Sequence, residues 1–578
     1  MTQKNSISIV LCGEAGQGIQ TIEAFLTRIF KTAGYHIFAS KEYMSRIRGG
    51  SNSTEIRVSS QPVAAFSDKI DILIPLDQEA IPHLRKRISA DSRIIGEVAK
   101  ILPPEDISVI DIPFSKIASE IGNPVFANTV ACGVIAGLFA IAPDLLNNQM
   151  RQFFAAKGAE IVNKNIEAIA KGYQLGITLR NTGGLISDIT PTPTIQDNIL
   201  VSGAEAVALG ALAGGCNFIA SYPMSPGTGL LNYLAEYSVE FPIVVEQAED
   251  EISAINMALG AWYAGARAVV TTSGGGFALM CEGVSLAGMI ESPAVIHVAQ
   301  RPGPATGLPT RTEQADLELV LYAGHGEFPR IILAPGNISQ AFDLAQQAFQ
   351  LADRFQVPVF ILTDQFLVDS FCNVPAFETN KISITPQFVE TTSDYQRYRI
   401  TADGFSPRGI PGYGIGLVAA DSDEHDEAGH ITEDLELRVQ MQQKRLQKMN
   451  LIKQAAIPPE LIGNPDYRVL IIGWGSTYEA IKEALAVLQR DEAAFLHFKQ
   501  LFPLGPELGG YLKKAAQTIA VENNATGQFA NLIQLTTGTA IQHRILKYNG
   551  MPFSVEELAE QIARVLKRAE ILAKERRK

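Results

Sequence analysis

Apolar positions along the chain alternate between two patterns. Short aliphatic runs of strand length are followed by longer stretches with helical spacing. Ser6–Cys12 is such a run; it leads into Gly13-Glu14-Ala15-Gly16-Gln17-Gly18 and then a helical pattern from Ile19. Strand, glycine loop and helix open a doubly wound sheet. Ile70–Pro75, Ser92–Gly96 and Ser108–Ile112 predict further strands, and Met150–Gly176 predicts helix. Val125–Ala142 is apolar but interrupted by Asn128, Cys132, Gly133 and Gly137, so it predicts a buried helix rather than a membrane span.

Thr182–Pro193, rich in Thr, Gly and Pro, predicts an interdomain linker. A second alternating block follows from about Asn198. Strands are predicted at Asn217–Ser221, Pro242–Glu246, Ala268–Ser273, Ser292–Ala299, Pro329–Leu333 and Val357–Thr363, with a helix at Glu249–Ala264. Such alternation implies a parallel sheet covered on both faces. Ala376–Gly416 is irregular, Glu433–Ile452 is a charged helix, and Pro465–Gly473, Phe495–His497 and Thr518–Glu522 form a third block that ends in the helix Val555–Lys578. The expected organisation is α/β in three domains, 1–181, 197–420 and 465–578, joined by linkers at 182–196 and 421–464.

The 578 residues exceed what one core covers. A net charge of -13 argues against a nucleic-acid partner. Five scattered cysteines contain no CxxC pair, which argues against a disulfide framework, a zinc ribbon or an iron–sulfur cluster held by this chain alone. Free thiols fit a reducing cytoplasm, and the amino terminus predicts a strand rather than a signal peptide.

The glycine loop Gly13–Gly18 is either a tight βα turn or an anion cradle; its spacing is not the dinucleotide fingerprint. At Glu246, Glu249, Asp250 and Glu251, four carboxylates crowd a predicted helix start. Complementing the helix dipole accounts for Glu249 and Asp250. Glu251 abuts the apolar helix and is placed to share a proton.

Four motifs, in order, resemble the alpha subunit of 2-oxoacid:ferredoxin oxidoreductases: Tyr222-Pro223-Met224-Ser225-Pro226, Glu246-Gln247-Ala248-Glu249-Asp250-Glu251, Thr272-Ser273-Gly274-Gly275-Gly276-Phe277, and the run from Arg301-Pro302-Gly303 through Leu308-Pro309-Thr310-Arg311-Thr312. Arg46-Ile47-Arg48-Gly49-Gly50-Ser51 extends the resemblance to the family's gamma subunit, fused here ahead of alpha as in 2-oxoglutarate-type enzymes. Val521-Glu522-Asn523-Asn524 and Lys547-Tyr548-Asn549-Gly550 resemble its transketolase C-terminal-like domain. The resemblance implies a Rossmann-like gamma domain, a thiamine diphosphate pyrimidine-binding domain and that C-terminal domain.

It also implies a chemistry. A glutamate bonds the aminopyrimidine, and in related thiamine enzymes this glutamate begins a small-residue helix with a glycine nine positions on; Glu251 and Gly260 have that spacing. Glu251 is therefore the expected activator. Arg311, with Thr310 and Ser225, is expected to hold the substrate carboxylate, and Tyr222, Pro223, Met224, Ser273 and Gly274 to line the cofactor. The family usually has Ile-Thr at Met224-Ser225 and proline at Gly275, departures that bear on which oxoacid is taken. The chain lacks the Gly-Asp-Gly that binds diphosphate and Mg²⁺; Ala402-Asp403-Gly404 is the nearest approach. A beta subunit is expected to supply Mg²⁺, diphosphate and [4Fe-4S] binding in an (αβ)₂ assembly, with coenzyme A as co-substrate, ferredoxin as acceptor and 2-oxoglutarate as the oxoacid. Pyruvate, a branched-chain oxoacid, or a non-catalytic nucleotide-binding role are the alternatives. The segment Asp423–His430, with two His and several carboxylates, matches no metal motif and is expected to bind none.

Overall fold

The computed structural model describes residues 6–14, 17–44, 50–183, 189–379 and 384–575. Arg46–Gly49 and part of the glycine loop, Ala15 and Gly16, lie outside them. The chain divides into two compact units, Met1–Val201 with Ser370–Ala376, and Ser202–Asp369 with Phe377–Lys578.

The first unit is built on a mixed eight-stranded sheet. Ser6–Glu14, Ile72–Pro75, Arg93–Gly96 and Val109–Asp111 run parallel, as the apolar runs predict. Ser51–Ser59 then pairs antiparallel with both Ser6–Glu14 and His36–Glu42, so the sheet is not doubly wound throughout. The exposed side of His36–Glu42 is covered by Phe371–Val374, returning from the middle block, and Ile199–Ser202 follows beyond it. Capping an open edge in this way removes a row of unpaired backbone groups. The presumed linker is partly anchored here: Thr192 N–H donates to the Gly34 carbonyl at 2.6 Å, and Thr190 N–H to Ser60 Oγ at 2.9 Å. The apolar stretch around Cys132 forms the helix Ala127–Leu138, packed on Ala159–Gly183. Gly133 and Gly137 face Gly172 and Gly176 so closely that a Cβ at any of the four would lie 2.1–2.3 Å from a carbonyl oxygen of the opposite helix.

The second unit carries two sheets. In the seven-stranded one, Phe218–Ser221, Val244–Gln247, Ala268–Thr272, Ala294–Gln300, Ile331–Leu333 and Pro358–Asp364 are parallel. The five-stranded one contains Val469–Trp474, Ala493–Phe498, Gln517–Glu522 and His543–Leu546 in parallel, with Glu460–Gly463 antiparallel at one edge. Gln500–Phe502, which follows directly on a strand of the smaller sheet, pairs with Ile331–Leu333 of the larger. The second and third blocks therefore fold as one unit.

Among the described residues no helix is long and apolar enough to cross a membrane. The five cysteines are free, and burial pushes the Cys12 and Cys216 thiols up to about 12, so neither is a ready nucleophile.

Candidate active site

Four adjacent parallel strands deliver the motifs to one edge of the seven-stranded sheet, where ligands of parallel sheets bind. Ala294–Gln300 hands over Arg301, Ala268–Thr272 hands over Ser273, Phe218–Ser221 hands over Tyr222, and the outermost, Val244–Gln247, leads through a short turn to Glu251.

The helix Glu251–Tyr263 buries Ala254, Ile255, Ala258, Leu259 and Trp262, and Trp262 Nε1 ties it to the Ala268 carbonyl at 2.9 Å. Asp250 caps it, accepting the Ser253 N–H at 2.7 Å. With the cap filled by its neighbour, Glu251 turns inward and is 3% exposed. Its Oε1 has no hydrogen-bond partner. It rests where a Gly276 side chain would begin: a Cβ there would lie 2.4 Å from Glu251 Oε1 and 2.2 Å from Thr272 Oγ1. The triple glycine thus lets a carboxylate reach the turn between strand and helix.

Ser273 is fully buried with its Oγ unpartnered. The Asp316 carboxyl lies against Gly274, 2.4 Å from the position of a Cβ, and its Oδ2 is also buried without a partner. Tyr222 and Ser225 are exposed, and Pro223 and Met224 half-buried, in a loop held by Thr228 N–H on the Met224 carbonyl at 3.1 Å. Thr271 links this loop to the glycine turn, donating to the Gly227 carbonyl at 3.1 Å and meeting His297 Nδ1 at 2.8 Å. Burial pulls His297 down to about 3, so it is a neutral bridge to Thr363 rather than an acid.

The expected substrate arginine, Arg311, and its neighbour in the same motif, Arg301, lie in different surroundings. Arg301 Nη1 donates to the Ser225 carbonyl at 2.6 Å. Arg311 packs instead on Gly550, with Nη1 3.7 Å from Met551 Sδ, and Thr310 beside it is half-buried. The loop carrying both is held by the C-terminal block. Thr312 N–H donates to the Gly550 carbonyl at 3.1 Å. Gln314 N–H donates to the Asn523 carbonyl at 2.6 Å, and its Nε2 to the Trp474 carbonyl at 2.8 Å. Its Oε1 and carbonyl accept from Asn523 N–H at 2.9 Å and Asn524 Nδ2 at 3.1 Å. Two acids on this loop escaped the sequence reading. Burial, with Asp316 adding, pushes Glu313 up to about 7; burial, opposed by Arg301, pushes Asp316 up to about 6.

Three buried oxygens without partners, Glu251 Oε1, Ser273 Oγ and Asp316 Oδ2, surround one glycine turn. Buried polar atoms are ordinarily paired, so this set fits a polar ring such as an aminopyrimidine. Among the described residues nothing comparable offers the diphosphate half. Asp403 is spent on a local turn, accepting Thr401 Oγ1 at 2.9 Å and Phe405 N–H at 3.1 Å. In Asp423–His430, Glu424 takes Arg445 through both oxygens at 3.0 and 2.7 Å, Asp426 caps Ala428 and His430 N–H groups, and the His425 ring lies tilted against Tyr398 with centroids 3.9 Å apart.

Residues 209–444 match the family model for pyruvate flavodoxin/ferredoxin oxidoreductase, thiamine diphosphate-binding, and residues 8–175 the model for pyruvate ferredoxin/flavodoxin oxidoreductase. The chain is 31% identical to the 2-oxoacid:ferredoxin oxidoreductase subunit alpha of a Sulfolobus species, over 98% of both chains. It is 28% identical to the Mycobacterium tuberculosis 2-oxoglutarate oxidoreductase subunit KorA, over 98% of this chain and 91% of the relative. Its fold matches the 2-oxoglutarate:ferredoxin oxidoreductase of Magnetococcus marinus, solved with 2-oxoglutarate, coenzyme A and succinyl-CoA bound, with a TM-score of 0.92 and 29% identity over 97% of this chain and 100% of that one. With the whole length aligned to a relative above 30% identity, this chain belongs to the alpha-subunit family of 2-oxoacid:ferredoxin oxidoreductases.

Proposed function

We propose that this chain, joined to a beta subunit, oxidatively decarboxylates 2-oxoglutarate, transfers the acyl group to coenzyme A as succinyl-CoA, and passes the electrons to ferredoxin. The observation that carries the reading is the buried, unpartnered Glu251 Oε1 over Gly276. Thiamine diphosphate, when bound, supplies a nucleophilic carbon and a sink for the electron pair released with CO₂. Glu251 would share a proton with the aminopyrimidine ring nitrogen, and Ser273, Gly274 and the Tyr222–Met224 loop would line the ring. Arg301 and Arg311, with Ser225 and Thr310, are the cations and hydroxyls available to an oxoacid; Arg301 is the one bonded at Ser225.

A beta subunit would bring the diphosphate and Mg²⁺ contacts and the [4Fe-4S] cluster, in an (αβ)₂ assembly. The outward face of the Glu251–Tyr263 helix, where Ile252, Met257 and Tyr263 are exposed, and the open sheet edge at Val244–Gln247 support a protein partner.

Substituting Glu251 by Gln in the co-purified complex tests the mechanism. Oxoacid-dependent dye reduction should fall by about 10²-fold or more, the scale of a lost proton-transfer group. Full activity would overturn it.

A further inference from the structure

We propose that Thr271 and His297 are positioning residues: His297, protonated at Nδ1, holds the Thr271 hydroxyl on the Gly227 carbonyl, and this fixes the loop that carries Ser225. That Ser225 meets an oxoacid rests on the function proposed above; the placement of the loop does not.

The strands Ala268–Thr272, Ala294–Gln300 and Pro358–Asp364 are aliphatic through most of their length. Thr271, His297 and Thr363 break that pattern side by side. Thr271 stands in register with His297. Thr363 lies two residues beyond Ile361, the partner of His297 on the third strand. Alternation along a strand therefore sends all three side chains to one face of the sheet. Each is only 1–2% exposed. Burying a hydroxyl or an imidazole costs free energy unless it is hydrogen-bonded, and aliphatic side chains there would carry no such cost. The three polar groups instead bond in series, and the series ends at the loop.

The count of protons sets the direction of every bond. Thr271 Oγ1 lies 3.1 Å from the Gly227 carbonyl, which can only accept, so the single hydroxyl proton goes there. His297 Nδ1, 2.8 Å from the same hydroxyl oxygen, must then be the donor. Burial pulls the ring down to about 3, which keeps it neutral and leaves Nε2 without a proton. Nε2 accepts from the Thr363 hydroxyl at 2.8 Å. The other tautomer would turn Nδ1 into an acceptor that competes with Gly227 for the Thr271 proton.

The loop is gripped from two sides. Arg301 Nη1 donates to the Ser225 carbonyl at 2.6 Å from a half-exposed position, and Thr271 holds Gly227 from the buried side. A Cβ on Gly227 would lie 2.8 Å from the Thr272 carbonyl oxygen and 3.1 Å from Thr271 Oγ1, so the backbone rests directly on the strand end. Thr228 N–H closes the turn on the Met224 carbonyl at 3.1 Å. A shift at Gly227 therefore carries Met224 and Ser225 with it.

Hydrogen–deuterium exchange of residues 222–231 in the full-length chain reads the loop without cofactor or turnover. Thr271→Val keeps the shape and removes the hydroxyl; exchange should speed by about tenfold, the worth of one buried hydrogen bond. Thr271→Ser keeps the hydroxyl and should stay within about twofold of wild type. An Asn side chain places its amide nitrogen near the Nδ1 position, whereas Gln reaches the Nε2 position. H297N should therefore stay within about twofold, whereas H297Q, which frees the Thr271 hydroxyl to turn away, should speed exchange by about fivefold. The strand Val469–Trp474, in the other sheet, should exchange at the wild-type rate in all four variants; a merely structural role would speed both segments alike. In the αβ complex, T271V and H297Q should raise KM for 2-oxoglutarate by about the same factors, with kcat held within about threefold. Wild-type exchange of the loop in T271V, or equal exchange in H297N and H297Q, overturns the proposal. Should the histidine variants not fold, the T271V and T271S pair decides. Faster loop exchange in T271V with an unchanged KM overturns the link from loop to substrate. A wild-type complex with no oxoacid turnover overturns the functional reading and leaves the placement of the loop standing.

Discussion

Glu291 lies at a buried junction between the sheet and the Leu435–Gln454 helix, and replacing it with Gln tests how that junction is held. Lys444 and Lys448, one helical turn apart, each place Nζ 2.6 Å from a Glu291 oxygen, and all three side chains are 1% exposed. Arg397 Nη2 donates to the Glu291 backbone carbonyl at 2.8 Å. Burial would push the Glu291 carboxyl up, but Lys448, Lys444 and Arg397 hold it well below the usual carboxylate range. Burial pulls Lys448 down to about 8 even with Glu291 opposing the shift. Gln keeps the shape and removes the charge, leaving two ammonium groups buried with no counter-ion. Breaking a buried pair from one side costs ~3–5 kcal/mol, which lowers the melting midpoint of a unit this size by roughly 5–10 °C. The pH dependence has a definite sign. An unfolded lysine keeps its proton to about 10.4, whereas Lys448 in the folded chain releases it near 8. Between these values the unfolded state binds more protons, so this lysine's contribution to stability rises with pH. Without Glu291 both lysines release protons at lower pH, so the deficit of E291Q should be largest near pH 7 and narrow toward pH 9. Thermal melts of the full-length chain at pH 7, 8 and 9 measure it. A variant melting within about 1 °C of wild type at pH 7, or a deficit that widens with pH, would refute the reasoning.

Two further substitutions probe the site from its walls. Gly276→Ala places a methyl 2.4 Å from Glu251 Oε1 and 2.2 Å from Thr272 Oγ1, so the carboxylate must move; cofactor-dependent turnover should drop by about 10²-fold with a stability loss of only ~1–3 kcal/mol, and normal turnover would exclude Glu251 from the chemistry. Gln314→Met keeps the side-chain length and strands the Trp474 carbonyl and the Asn523 N–H; a destabilisation of about 2–4 kcal/mol should come with a raised oxoacid KM, and an unchanged KM in steady-state assays would show that the clamp does not reach the site.

How much of this was legible depended on whether a feature is local. The central parallel strands Ala268–Thr272, Ala294–Gln300, Pro358–Asp364, Val469–Trp474 and Gln517–Glu522 are largely aliphatic runs buried on two faces, and they stand within a few residues of their predicted bounds, whereas His543–Leu546, half-exposed at a sheet edge, was not predicted. Ser51–Ser59 was missed because its residues, Ser-Asn-Ser-Thr-Glu-Ile-Arg-Val-Ser, look polar, although eight of the nine are buried in the sheet. Their burial is offset by partners elsewhere in the chain: Glu55 meets Arg87, and Arg57 has a backbone carbonyl of Ala65. Phe371–Val374 could be guessed as a strand, but no spacing says that it crosses to the first sheet. The buried position of Glu251 at the helix start was legible because cap, carboxylate and apolar helix are consecutive in sequence. Its closeness to Gly276 was not, since that follows from strand order.

The two arginines show the same limit, and also the signal that would have resolved it. Arg301 and Arg311 share one motif, and residue type does not separate them. Position does. Arg301 directly follows the strand Ala294–Gln300, so it must emerge at the carboxyl edge of the sheet beside the ends of its neighbours. Arg311 comes after a turn closed by Leu308 N–H on the Pro302 carbonyl at 3.1 Å, which carries the chain toward Gly550. Across the sheet the strands run in the order Arg301, Ser273, Tyr222 and Glu251, whereas along the chain the order is Tyr222, Glu251, Ser273 and Arg301. At the usual strand spacing these four ends span about 15 Å, which brings all four motifs to one stretch of the sheet edge. The missing Gly-Asp-Gly and this order of strand ends both support the division of labour proposed above, in which a partner supplies the diphosphate contacts.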